Sequence, residues 1–431
     1  MKHSPIARIA LPSIVSNLTV PLLGLADTAI TGHLGSAVAM ASIALGGMVF
    51  NMVYWLCNFL RMGTGSLTSQ AYGARQTDEA HRLLARSLCL GLALAVVFFC
   101  LQQPIFALAM TFVEATPQTE GLTAVYFSIL IWGAPAMMAQ FSLNGWLLGM
   151  QDAFSPMLAA ITQNVVNVAV SLMLVFGLHM GVSGVATGTL VAQYVGVALL
   201  LVMVCRRHGV RRRHLTASGT FTRGALWRFF RINTDIFFRT LCLVAVTTCF
   251  TAFSSALGET ALAANTLLMQ FFIFFSYFMD GFAYAGEALG GKYVGARHRQ
   301  GFDALTRRLL RLAALLACVF VGLYGLAGHA LIACLTDLGA VRATAGGVLW
   351  AVCLVPLAGA AAFIFDGLFI GGAATREMLT AMATACLVFF AVHALLTTDV
   401  ASLWWAFIAY LATRSLAQAL LLRRVRRKSF S

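Results

Sequence analysis

The chain has 431 residues, of which 60% are hydrophobic and 10% are charged. Because soluble globular proteins carry about 25% charged residues, this composition is typical of a protein surrounded by lipid, and it excludes soluble enzymes and disordered scaffolds. The net charge of +14 comes from Lys and Arg concentrated in alternate turns. That pattern follows the positive-inside rule, argues against nucleic-acid binding and predicts that both termini are cytoplasmic.

Twelve hydrophobic stretches are long enough to span a membrane, since about 20 apolar residues cross a bilayer as a helix. They are predicted near residues 6–31, 37–70, 80–110, 121–149, 155–177, 183–205, 224–256, 260–290, 304–335, 343–371, 377–397 and 401–423. The long hydrophilic stretch between the sixth and seventh is rich in arginine. The sequence therefore predicts an N-lobe over 1–205, a linker over 206–222, a C-lobe over 223–423 and a basic tail over 424–431.

Short motifs recur at a constant spacing, which relates the two halves of the chain. The Gly-Ala-Arg triplet at Gly73 returns at Gly295, and the Asn-Gly pair at Asn144 corresponds to the Asp-Gly pair at Asp366, both 222 residues later. Two six-helix halves with the same orientation imply a pseudo-twofold axis along the membrane normal. Transporters built from parallel repeats bind their substrates between the repeats, near the middle of the membrane.

Charged side chains inside the predicted spans are candidates for an ion or substrate pathway, because a charge at the bilayer centre costs about 2.5–3.5 kcal/mol. Five acids and three arginines occupy such positions: Asp27, Asp235, Asp280, Glu287, Asp366, Arg61, Arg239 and Arg414. Asp235 and Arg239 are four residues apart, so they can neutralise each other on one helix. Alternatively, some of these charges only form structural pairs or reach the headgroups from a helix end.

Uncharged polar residues on the fifth and sixth predicted helices are candidate partners of Asp27. Asn164, Asn167 and Ser171 form a stripe along helix 5, and Thr189 lies on helix 6. Such residues alternatively serve only to hydrogen-bond helix to helix. A carboxylate among amides and hydroxyls suits a proton carrier, but the same oxygens suit Na⁺, so this pattern leaves the ion open.

Four segments inside the predicted spans together resemble the MATE (multidrug and toxic compound extrusion) family of transporters, and most closely its DinF-like branch. The segments are Asn17–Gly35, Asn233–Arg239, Asp280–Glu287 and Asp366–Gly371. The match runs through the whole chain, in order and in both halves. The resemblance implies an all-α integral membrane protein in which two six-helix bundles open alternately to the two sides of the membrane.

The resemblance also implies roles for individual residues. Asp27, Asn167 and Thr189 match the cation pocket of the N-lobe, but Ser171 stands where that branch has an aspartate. The loss of a carboxylate favours H⁺ over Na⁺ as the coupling ion. Pro12 matches a proline that is associated with bending of the first helix. The polar residues of the C-lobe either bind the cation, take protons in a second step, lock the inward gate or only pair: Asp235, Arg239, Asp280, Glu287 and Asp366.

The expected function is secondary active efflux of amphipathic, mostly cationic compounds by cation-coupled antiport. Phe282, Tyr284 and Asn144 are candidates for the wall of the substrate cavity. We expect no enzymatic activity, no metal site, no cofactor besides the coupling ion, no nucleic-acid partner, and a monomer in the inner (plasma) membrane. The alternative is a flippase of lipid-linked oligosaccharides, or another lipid or metabolite exporter of the same superfamily, although three arginines in the spans are few for holding a pyrophosphate.

Overall fold

The computed structural model describes residues 4–33, 36–111, 116–210, 220–396 and 399–430, and these residues form helices without any strand. The helices are α1 (Pro5–Gly32), α2 (Ala37–Cys57), α3 (Phe59–Gly73), α4 (Thr77–Cys100), α5 (Gln102–Thr111), α6 (Pro117–Leu130), α7 (Ala134–Gly149), α8 (Phe154–Leu172), α9 (Gly181–His208), α10 (Arg223–Ala256), α11 (Glu259–Gly295), α12 (Arg299–Leu335), α13 (Gly339–Gly347), α14 (Leu349–Gly371), α15 (Thr375–Leu396) and α16 (Val400–Phe430). A short 3-10 turn, Ile131–Gly133, joins α6 to α7, and a π turn, Met173–Gly177, extends α8.

Capping residues account for several helix boundaries. The Ser36 hydroxyl precedes α2 and accepts a hydrogen bond from the Ala39 amide at 3.2 Å. Thr116 caps α6 in the same way, with Pro117 in the first turn, where its missing N–H costs nothing. Gly209 ends α9 with a φ of 63°, a left-handed conformation that glycine adopts without steric cost.

Twelve helical segments in the described part of the chain are long and apolar enough to cross a membrane, which confirms the predicted number. The segments Ala37–Gly73 and Pro117–Gly149 each contain two helices. The stretch predicted near 343–371 differs from expectation, because Val348 separates the short α13 from α14. The structure therefore has the predicted spans, but several of them are composed of two helical pieces.

The basic tail predicted over 424–431 continues the last helix instead of following it. Through Phe430, α16 remains helical. Arg426 Nε lies 2.9 Å from an Asp303 carboxylate oxygen, Lys428 forms an ion pair with Glu377, and the Phe430 ring packs edge-on against a buried ring of α12. These contacts attach the tail to α12 and α15.

The chain divides into two compact units, and the division falls inside helices. The N unit comprises 15–68 and 76–230, whereas the C unit comprises the chain up to Ile14, the segment Ser69–Arg75 and the chain from Arg231 onward. The predicted N-lobe had included both the start of α1 and the end of α3. Helix α1 is continuous through Pro12, and the division follows two residues later. The role of Pro12 as a hinge stays a prediction.

Candidate functional site

Asp27 is a carboxylate of the N unit that no cation neutralises in the described residues. It lies near the C-terminal end of α1 and is half-buried. Its Oδ1 atom is buried and has no hydrogen-bond partner in the part of the chain that the structure describes. Tyr126 on α6 lies close enough to Asp27 for the two groups to interact electrostatically. This acid can therefore gain or lose a proton without breaking an ion pair.

The polar stripe predicted on helix 5 forms between α8 and α9. The Asn167 amide donates to the Thr189 hydroxyl at 2.9 Å, and Thr189 donates onward to the Val185 carbonyl at 3.1 Å. Asn167 is 1% exposed, and its Oδ1 atom has no partner among the described residues. Asn164 instead donates to the Thr19 carbonyl at 2.9 Å, which ties α8 to α1. Two of the predicted residues are thus bonded to each other, and the third positions α1.

Ser171 stands one turn further along α8, at a very close approach of the two helices. Its side chain is fully buried, and its hydroxyl has no hydrogen-bond partner within the described ranges. A Cβ placed on Gly188 of α9 would lie 2.2 Å from the Ser171 hydroxyl oxygen. A hydroxyl fits this space because the facing residue is glycine, and a larger carboxylate would push against α9.

Two buried tyrosines of the N unit, one of which interacts with Asp27, were not predicted as site residues. Tyr54 on α2 and Tyr126 on α6 are 9% and 4% exposed, and both belong to the core of the N unit. The Tyr54 hydroxyl is buried and has no hydrogen-bond partner in the described part of the chain. Their position inside predicted spans could have identified them, because a buried tyrosine hydroxyl normally has a hydrogen-bond partner and therefore indicates a polar site.

In the C unit, Asp366 is held by two arginines. One oxygen of Asp366 on α14 accepts hydrogen bonds from both Arg239 of α10 and Arg414 of α16, and the other oxygen accepts from the Gln418 amide. The four side chains are between 0% and 6% exposed. The Arg414 guanidinium also lies over the Phe363 ring, 5.6 Å from its centroid. Asp366 is therefore a buried carboxylate with all its charge compensated.

The remaining acids of the predicted C-lobe cluster have different surroundings. Asp235 accepts a hydrogen bond from the Thr375 hydroxyl at 2.6 Å. The predicted neutralisation of Asp235 by Arg239 within α10 is wrong, because that arginine turns to Asp366 instead. Asp280 interacts electrostatically with Arg414, and Glu287 is 1% exposed on α11. The cluster is thus centred on Asp366, with Gln418 and Thr375 as members that the sequence did not suggest.

The three predicted cavity residues lie in two units. Asn144 on α7 is half-buried in the N unit, and its Oδ1 atom lacks a hydrogen-bond partner among the residues described. Phe282 and Tyr284 on α11 are half-buried in the C unit, whereas Ala283 and Ala285 beside them are buried. These three residues stay candidates for substrate contact.

A polar cluster outside the spans lies in the turn between α7 and α8. Asp152 accepts a hydrogen bond from the Ser155 hydroxyl at 2.6 Å, and its Oδ2 atom lies 3.3 Å from His208 Nε2 and 3.7 Å from Arg207. Burial raises the pKa of Asp152, but the hydrogen bonds from His208 and Ser155 and the charge of His208 outweigh it and lower the pKa to about 2. The ionised carboxylate therefore fixes the end of α9 to this turn.

Comparisons with known proteins agree with the sequence motifs. The MatE family model matches residues 12–173 and again 236–397. The DNA damage-inducible protein F of Escherichia coli (strain K12) is 36% identical over 420 residues, which cover 96% of this chain and 91% of that protein. A probable multidrug resistance protein NorM of Thermotoga maritima is 26% identical over 210 residues, covering 48% of this chain and 45% of that protein.

A solved structure shares the fold over nearly the whole chain. The crystal structure of MATE in the bent conformation matches with a TM-score of 0.87 at 18% identity, covering 99% of this chain and 97% of that one. The family model alone covers well over half of the residues, in one copy per half of the sequence. With twelve apolar helices, the chain is a multi-pass membrane protein, and it belongs to the MATE family, whose members are transporters and not enzymes.

Proposed function

We propose that the protein is a proton-coupled multidrug efflux antiporter that exports amphipathic, mostly cationic compounds by alternating access. The observation that carries the proposal is the buried Asp27 oxygen, which has no hydrogen-bond partner in the described part of the chain. A charged group in a membrane-spanning helix is costly unless it is compensated or has a function. A carboxylate without a fixed counterion can take up a proton or a cationic substrate, and release either of them.

The contrast with Asp366 supports Asp27 as the coupling acid. Two guanidinium groups already bind Asp366, so a proton or cation would have to displace Arg239 or Arg414 from a buried site. Removing one partner of a buried pair costs about 3–5 kcal/mol. Asp366 is therefore suited to holding α10, α14 and α16 together, and Asp27 is suited to exchange.

The polar residues that the sequence predicts as partners of Asp27 support H⁺ over Na⁺. A partly dehydrated Na⁺ needs several oxygen ligands, and a second carboxylate would strengthen such a site. The stripe provides Asn167, Thr189 and Ser171, which are neutral, and the close approach of Gly188 leaves little room for another ligand at Ser171. A proton needs a single carboxylate oxygen.

Coupling then follows from linkage. If a proton and a cationic substrate bind Asp27 in competition, each weakens the binding of the other by the same free energy. Proton entry from outside therefore releases the substrate there, and substrate binding from the cytoplasm displaces the proton. The basic turns support a plasma-membrane orientation with both termini in the cytoplasm.

The test is export of a cationic dye by purified protein in liposomes, driven by an imposed pH gradient or Na⁺ gradient. We expect the pH gradient alone to drive transport in the wild type and Asp27→Asn to abolish it. The matched control is Asp78→Asn, which removes an exposed acid from the first turn of α4. Transport by Asp27→Asn at the wild-type rate would overturn the assignment of Asp27. Movement of no cationic dye under either gradient would reject the multidrug function, and binding of lipid-linked oligosaccharides should then be measured.

A further inference from the structure

The first turns of α12 and the last turns of α16 are joined inside the C unit. Arg426 Nε of α16 lies 2.9 Å from an Asp303 carboxylate oxygen of α12, and the Phe430 ring packs edge-on against the Phe302 ring, with centroids 5.5 Å apart. Val425, on the other side of the last turns of α16, is fully buried. The end of α16 is therefore part of the folded C unit, and its remaining side chains have defined positions.

Six exposed arginines surround this junction, and none of them forms an ion pair among the residues that the structure describes. The acids that hold the end of α16, Asp303 and Glu377, are already paired with Arg426 and Lys428. We call the six residues the arginine patch: Arg307, Arg308 and Arg311 of α12, and Arg423, Arg424 and Arg427 of α16. A concentration of uncompensated positive charge of this kind attracts an anionic partner.

Two arginines of the patch lie at the same level of the two helices. Arg307 follows Asp303 by four residues, and Arg423 precedes Arg426 by three. Residues three or four apart share a helix face, so each arginine lies one turn from the ion pair, on the side where the helices meet. Because α12 and α16 run in opposite directions, both turns lead from the ion pair toward the apolar part of the helices. Two cations so placed repel each other unless an anion lies between them.

Exposed apolar side chains continue the patch along both helices. Leu420 is 68% exposed and lies one turn before Arg424, and Leu315 is 64% exposed and lies one turn after Arg311. At 1.5 Å per residue, each helix face passes from leucine to arginine within about 6 Å. The headgroup layer on one side of a bilayer is about as thick. A soluble anion would need only the arginines, whereas a lipid uses the apolar side chains as well.

We propose that the arginine patch binds the headgroup of an anionic phospholipid, with the lipid phosphate between Arg307 and Arg423. Guanidinium groups bind phosphate oxygens in pairs, which suits this position. The other four arginines favour a headgroup with a net negative charge, and Leu315 and Leu420 contact the acyl chains. The positive-inside rule accounts for arginines on the cytoplasmic side, but not for their convergence on a junction of two packed helices. The proposal does not depend on the proposed function, because lipid binding requires no transport.

The test is binding of dioleoylphosphatidylglycerol to the delipidated protein in a neutral detergent, measured by native mass spectrometry. The wild type should bind this lipid several times more tightly than the zwitterionic dioleoylphosphatidylcholine. Arg307→Gln with Arg423→Gln should weaken phosphatidylglycerol binding roughly 30-fold, since each basic residue near an anionic surface contributes a factor of about five. The matched control, Arg75→Gln with Arg206→Gln, removes two exposed arginines outside the patch and should bind like the wild type.

The unfolding temperature without lipid shows whether each variant folds. If the double variant does not fold, Arg307→Gln and Arg423→Gln are measured singly, and each should weaken binding about fivefold. Unchanged binding in these folded variants would overturn the proposal. An equal loss in the control would also overturn it, because the attraction would then belong to the whole basic surface. Inorganic phosphate is the second probe: displacement of the lipid by phosphate at comparable concentration would assign the patch to a free anion instead of a lipid.

Discussion

The same substitution at two intramembrane acids should change stability by very different amounts. Asp366→Asn removes the charge that two buried guanidiniums share, whereas Asp27→Asn removes a charge that no cation neutralises in the described residues. We therefore expect Asp366→Asn to destabilise the fold strongly. Asp27→Asn should leave the fold intact while it abolishes coupling.

The contacts of each acid determine how much free energy of unfolding its substitution should cost. Removing one member of a buried ion pair costs about 3–5 kcal/mol, and Arg239 and Arg414 are only 6% and 3% exposed, so water cannot replace the carboxylate. Two cations lose their counterion together, which places the Asp366→Asn cost at the upper end of that range. For Asp27→Asn no pair is broken, and we expect a change below about 1 kcal/mol.

Thermal unfolding of detergent-solubilised protein at pH 7, followed by tryptophan fluorescence, measures both variants without reference to transport. Asp366→Asn should unfold several degrees below the wild type, and Asp27→Asn should unfold close to it. A double variant, Asp366→Asn with Arg414→Gln, removes one excess cation and should recover part of the loss. An Asp366→Asn protein that unfolds at the wild-type temperature would refute the argument, because the arginines would then be compensated elsewhere.

Two further predictions concern single residues of the N unit. The pKa of Asp152 is lowered to about 2, so its contribution to stability is complete above the ordinary aspartate pKa and is lost as pH falls through about 2. At pH 7, Asp152→Asn should therefore lower the free energy of unfolding by about 2 kcal/mol and lower the unfolding temperature accordingly. Near pH 2 the variant and the wild type should unfold at the same temperature. Ser171→Asp adds a second carboxylate but presses on α9 at Gly188, so its unfolding temperature should lie below that of the wild type without Na⁺. Added Na⁺ should raise the unfolding temperature of Ser171→Asp and not that of Ser171→Asn; equal Na⁺ effects would contradict our account of ion choice.

The spans were predictable because their signal is local. A membrane helix needs about 20 consecutive apolar residues, and each of the twelve stretches contains them in one continuous piece of sequence. The contact between Asn167 and Thr189 could also be predicted from the sequence, since polar residues on two consecutive apolar helices have few other partners. Local sequence gave no indication that α16 continues to Phe430, because its last turns are held by acids of α12 and α15.

Within the C-unit cluster, the pairing of Asp235 with Arg239 was mispredicted because the actual partners are distant in sequence. Arg239 and Asp366 are 127 residues apart, and Thr375 reaches Asp235 across 140 residues. The spacing of Asp235 and Arg239 allowed a pair within one helix, but a surface-type pair of that kind contributes only about 0.3–0.5 kcal/mol. Asp366 offers the arginine a buried carboxylate, and the stronger interaction determines the side-chain direction.

The two acids also differ in what they permit a transporter to do. A group that couples transport to protons must be stable both charged and neutral, and the free-energy difference between the two forms must be small enough for a gradient to reverse. Asp366 fails this requirement, because protonation would leave two buried guanidiniums without a counterion. Asp27 meets it, since no cation among the described residues holds its charged form and Tyr126 interacts with it only electrostatically. Compensating every buried acid would stabilise this fold further, but it would remove the group that a proton gradient can act on.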